Sequence, residues 1–166
     1  MGFLRRVFGL RYRRVTSLQE LGSGRVEVDG LVEGISAVPH PATGDDVVAV
    51  AYQAWPPSTT VGVDGAGADA SRGFKVAARQ ATDFILVLGG ARVRVRVPGG
   101  EDVAALHADL VDRYGVGLRA EIDVIQAGDR VRVLGQATQA SDGGSPHRRD
   151  PDAGIIEAER FWTLPA

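Results

Sequence analysis

The sequence predicts a mainly β protein: a small OB-like barrel or sandwich of about seven strands with one surface α-helix. Three observations lead there. Short runs of apolar–polar alternation recur along the chain, the mark of strands with one face in a core. Glycine-rich turns separate several of these runs at hairpin distances. Only one stretch, Glu101 to Tyr114, repeats its apolar residues at helical spacing.

Composition sets the outer limits. A chain of 166 residues can bury a real core, and 44% apolar with 24% charged residues is ordinary for a globular protein. A formal net charge of -2 argues against bulk attraction to nucleic acid. Lys75 is the only lysine, Asn is absent, and Ala, Gly and Arg are abundant, a skew suggesting a GC-rich bacterial genome. With no cysteine, disulfides, thiolate metal sites, Cys nucleophiles and RING fingers are all excluded. No apolar run approaches the length that crosses a bilayer.

Residues 1–15 form a basic leader, with Arg5, Arg6, Arg11, Arg13 and Arg14 preceding the first acid, Glu20. On a helical wheel Phe3, Leu4, Val7, Phe8 and Leu10 fall opposite Arg5, Arg6 and Arg13, while Arg11 and Arg14 intrude on the apolar side. The stretch is too short and too interrupted for a signal peptide, and Arg6 stands where N-myristoylation wants Ser or Thr. The stretch could be a frayed basic leader or a short helix packed on its own domain, and two functional readings stay open beside these. Phe3, Leu4, Arg5, Arg6, Val7, Phe8 and Arg11 either anchor the chain at an anionic membrane surface or dock on a partner protein.

Residues 16–166 read as one β domain. Val26 and Val28 alternate with charged residues in a first strand, and Gly30 and Gly34 permit a bend. Val47 to Trp55 is apolar on both faces, as a central strand would be. Gly73 to Arg79 is a further short strand. Phe84 to Pro98 is the clearest stretch: an apolar run, Gly89-Gly90, then strict alternation of Arg92, Arg94 and Arg96 with Val93, Val95 and Val97. It predicts a hairpin with its valines inward. Glu101 and Asp102 suit the start of the helix, and Gly115 and Gly117 stop it. Glu121 to Ile125, Arg130 to Leu134 and Ile155 to Leu164 complete the strands. Residues 56–72 and 138–154 read as mobile loops.

The order of these pieces resembles the GIDE domain, also called the BAM ("beside a membrane") domain, over roughly Val26 to Gly135. Val26 to Gly34 looks like its opening strand, and Pro41-Ala-Thr-Gly44 leading to Tyr52 is similar to its Pro–Leu–Thr–Gly turn and strand. Phe84 to Val95 resembles its Phe/Leu segment and Val-rich strand, and Glu121 to Gly135 its closing Glu–Gly–Asp–Val–Gly signature. The resemblance implies a β-rich, non-catalytic binding domain near a membrane. Family members usually adjoin transmembrane helices, and the ubiquitin ligases among them add a RING. This chain has neither, so ligase activity does not carry over.

Other chemistry is thinly supported. Arg92, Arg94, Arg96, Arg130 and Arg132 could tile a basic face for single-stranded nucleic acid. The acids at Glu27, Asp29, Glu121, Asp123, Glu157 and Glu159 make cross-strand ion pairs the simpler reading. His40, His107 and His147 share no ligand spacing, and His107 reads as a packing histidine. Ser145 lacks a nucleophile's strand–turn–helix setting, and Gly65 to Ala70 mimics a dinucleotide fingerprint without its flanking strand and helix. The expectation is a non-catalytic binding or scaffold module without cofactor or metal, in the cytoplasm and peripheral to the inner face of the membrane. The alternatives are a soluble protein-interaction adaptor and an OB-like nucleic-acid binder.

Overall fold

The computed structural model describes residues 11–57, 75–139 and 154–165. Both expected mobile loops, apart from their first two residues and Gly154, and all leader residues before Arg11 lie outside these ranges. The chain divides into two compact units, one comprising residues 1–35, 83–97 and 128–166, the other residues 36–82 and 98–127. The second is thus an insertion into the first at two places.

The first unit is a closed barrel. It contains β1 (Arg13–Val15), β2 (Gly24–Gly34), β7 (Phe84–Leu88), β8 (Ala91–Arg96), β10 (Arg130–Gln139) and β11 (Gly154–Thr163). Five of these pair in a ring, β2–β10–β11–β8–β7 and back to β2, with β8–β11 the one parallel contact. The barrel is OB-like, and β1 adds a short parallel strand outside the ring on β2. Alternation decides what lies inside: Val26, Val28, Phe84, Leu86, Val93, Val95, Val131, Val133 and Ile156 are buried. Full burial of each such side chain contributes about 1.5–3 kcal/mol before chain entropy is charged.

Two features make closure possible. The β7–β8 hairpin turns through Gly89 and Gly90, whose φ values of 56° and 85° match the primed turn that the Gly-Gly pair predicts. On the other side β2 changes partners. It pairs with β10 from Gly24 to Leu31 and with β7 from Leu31 to Gly34. A Cβ at Gly30 would stand 2.7 Å from both the Leu86 side chain and the Val87 carbonyl oxygen, so only glycine lets β7 come this close at the corner.

The second unit is an open sheet under one helix. It holds β3 (Val38–Pro39), β4 (Asp46–Val47), β5 (Ala49–Trp55), β6 (Val76–Ala81), β9 (Arg119–Ile125) and α1 (Val103–Tyr114). β5 is central, between β6 and β9, as its apolar sequence predicts. Val50, Tyr52 and Ala54 share a core with Ala78, Val103 and Leu110, and Leu106 and Tyr114 pack against it. The helix starts where Asp102 accepts from the Ala105 amide at 3.0 Å, and it ends at Gly115 with φ 56°.

Candidate functional site

The arginine rows of the barrel are an ion-pair lattice. Register places Arg132 on β10 opposite Asp29 on β2, and its guanidinium donates to both Asp29 oxygens at 2.6 and 2.7 Å while Glu27 lies 3.3 Å away. That fork holds the Asp29 carboxyl below the ordinary carboxylate range and raises the guanidinium in return. Arg92 pairs with Glu33 at 2.7 Å, Arg96 with Glu157 at 3.2 Å and Arg25 with Glu159 at 3.5 Å. Arg94 is half-buried between Ile85 and Ile155. Arg130 is exposed beside Leu31. The five residues of the expected basic face therefore share one barrel, and acids meet Arg92, Arg96 and Arg132 among them.

Of the leader residues singled out, only Arg11 is described, and it is exposed. The chain joins the barrel immediately after it. Tyr12 donates to Glu159 at 2.5 Å, and this bond pushes its hydroxyl pKa up. Arg13 donates to the Glu20 and Leu21 carbonyls, and Arg14 lies 3.4 Å from Asp29. Arg13 to Val15, which the sequence reads as the end of the leader, form β1.

In the second unit the inner face of the sheet is fixed by Tyr52, whose hydroxyl shares a hydrogen bond with Nδ1 of His107 at 2.9 Å. The rings meet edge to face at 5.5 Å, and burial pushes the Tyr52 hydroxyl up. His107 is the packing histidine expected. His40 is also accounted for: its Nδ1 accepts from the Ala42 and Thr43 amides and shapes the turn. Among the described residues no His and carboxylate cluster could hold a metal ion.

The outer face of the same sheet is different in kind. Successive residues of β5 alternate, so Trp55, Gln53 and Ala51 point away from the core. The Trp55 ring lies between Lys75 at 5.7 Å and the Arg119 guanidinium at 5.4 Å. Gln53 sits between Ala77 and Glu121, and Ala51 between Arg79 and Asp123. Ala51, Gln53, Ala77 and Arg79, with Gly99, Gly100 and Glu101, line a cleft of about 440 Å³. The sequence gives little warning of this cleft. Its residues, which also include Tyr52 and Ala78, come from three separated segments, and Ala51 and Ala77 matter by being small. Gly99-Gly100 beside Glu101 is the one local signal, and it reads first as a turn.

Comparison with family models, with curated proteins and with solved structures found no match.

Proposed function

We propose that this chain is a non-catalytic binding module of the GIDE kind, peripherally held at a membrane surface by its basic, apolar leader. The single observation that carries the reading is how the charges are used. On the barrel, Arg25, Arg92, Arg96 and Arg132 meet acids of neighbouring strands, so this surface stabilises its own register and offers less to a polyanion. Polar groups open to a ligand lie instead in the cleft of the second unit. Lipid contact falls to Phe3, Leu4, Val7 and Phe8 with Arg5, Arg6 and Arg11, where sequence alone supplies the argument. No described helix is long and apolar enough to cross a membrane, and peripheral attachment requires none.

The test is co-sedimentation with anionic and with neutral liposomes. It compares the full chain, a form lacking residues 1–10 and the full chain with Phe3, Leu4, Val7 and Phe8 changed to Ser. Cutting there keeps Tyr12 and β1 on the barrel. Pelleting of the unaltered chain alone, and with anionic lipid alone, is the expected result. Indifference of all three to both lipids would overturn the membrane reading. A protein partner lost on deleting residues 1–10 would then establish the soluble adaptor. Affinity for single-stranded DNA that falls steeply with salt and with Arg94→Ala would establish the nucleic-acid binder.

A further inference from the structure

We propose that the cleft on the outer face of the second unit is a binding site for a small zwitterion, a molecule carrying an oxyanion and an ammonium a few atoms apart. The proposal deepens the binding-module reading and rests on it. It begins with why there is a cleft at all. Ala51 and Ala77 leave the sheet surface low between larger neighbours, and Gly99 and Gly100 carry no side chain over it. The second wall is pinned by backbone. The Glu101 amide donates to the Arg79 carbonyl at 3.1 Å, and a Cβ on Gly100 would stand 2.1 Å from that same oxygen. The segment before α1 is thus pressed onto the edge strand β6, which brings the backbones of Arg79 and Glu101 side by side.

Arg79 and Glu101 carry opposite charges on one cleft, yet they make no ion pair with each other. Among the described residues neither side chain has a hydrogen-bond or ion-pair partner, and the Gln53 amide between them and Trp55 has none either. This contrasts with the barrel, where Arg92, Arg96 and Arg132 are each within 3.5 Å of a carboxylate. The charge pattern then selects the ligand. A simple anion gains from Arg79 and loses to Glu101, and a simple cation does the reverse. A zwitterion gains from both, with the guanidinium fork on its oxyanion, the carboxylate on its ammonium and the Gln53 amide available to a further polar group. The volume of about 440 Å³ suits a ligand of dipeptide size. Two sources share this chemistry, free amino acids or short peptides and the phosphoethanolamine headgroup of a lipid.

The experiment is an NMR titration of the ¹⁵N-labelled full chain. The probes are glycylglycine, O-phosphoethanolamine, N-acetylglycine (anion only) and glycinamide (cation only). At about millimolar concentrations, the range an open site with few polar contacts reaches, the two zwitterions shift Gln53, Ala77, Arg79, Gly99 and Gly100 saturably. The single-charge probes bind about tenfold more weakly, and Arg79→Gln and Glu101→Gln each weaken the zwitterions by about tenfold. Ala77→Leu, which fills the floor without touching a charge, also abolishes the shifts. Tighter glycylglycine identifies the soluble source and tighter phosphoethanolamine the headgroup; either supports the site. Scattered shifts, equal binding of the single-charge probes, or zwitterion binding unchanged in both charge variants would overturn it. Pelleting of Arg79→Gln on anionic liposomes free of phosphatidylethanolamine reports on the leader alone, so failure of this site and failure of membrane attachment are separable results.

Discussion

The barrel and the inserted sheet solve the same problem in opposite ways. The barrel returns β7 to β2, leaves its ring without an edge and sets acids opposite arginines on its outside. Among the described residues the inserted sheet has three strands, with β6 and β9 at its sides, and α1 packs on its inner face. Closure uses up a surface: backbone pairs with backbone, and side-chain charges are enlisted to hold register. An open sheet keeps a face on which Trp55, Gln53 and Arg79 remain accessible. In this molecule the scaffold and the candidate site are therefore different parts of one chain.

The contrast can be broken most forcefully at Phe84, fully buried inside the barrel and 5.8 Å from the Phe161 ring. Phe84→Ala should cost about 3–5 kcal/mol, read by urea titration, with faster hydrogen exchange across β7, β8 and β2. Leu110→Ala is the matched change in the second unit, on the sheet-facing side of α1. It should cost about 2–5 kcal/mol, toward the lower end because a single helix can settle onto its sheet, with the exchange gained in β5, β6 and β9.

Arg132→Ala sharpens the electrostatic half of the comparison. The depressed Asp29 carboxyl contributes stability that is present above its unfolded pKa, about 3.9, and is lost as pH falls through the lower folded value. The variant should melt below the parent at pH 7, and the two Tm values should converge in acid below that unfolded pKa. A constant gap down to pH 2 would show that Arg132 acts by packing instead. The smallest effect is expected from Arg96→Ala, whose pair with Glu157 is half in water. Stability should change by less than about 0.5 kcal/mol at physiological salt.

Much of the architecture was legible in the sequence because it depends on neighbours in the chain. The alternation from Arg92 to Val97 named the inward valines of β8, Gly89-Gly90 named the turn, and the helical spacing of Val103, Leu106, Leu110, Val111 and Tyr114 named the inner stripe of α1, except that Val111 is exposed. Periodicity says which face a residue takes but not which strand lies beside it. The parallel pairing of β8 with β11, the partner change of β2 at Leu31 and the division into two units are all matters of strand neighbourhood. Arginine pairing lay between these cases. Acids on Glu27, Asp29 and Glu157 hinted at it, and register alone matched Arg132 to Asp29. The Arg79–Glu101 cleft was hidden, since it depends on Gly100 lying close against the backbone of β6.

The parallel β8–β11 contact also bears on the order of synthesis. Arg94 meets Ile155, and in the chain between them lie α1, β9 and β10. A ribosome making this protein finishes every strand of the inserted sheet, and its helix, before the strand that seals the ring exists. Until β11 emerges, β8 and β10 each lack a neighbour and expose backbone that another nascent chain can capture. The non-local seal also makes closure slow for a molecule of this size, because a long loop must be gathered before the last pairing stabilises it. The interval after Gln139 is made and before β11 is complete is therefore when the ring stands open to chaperones and to aggregation.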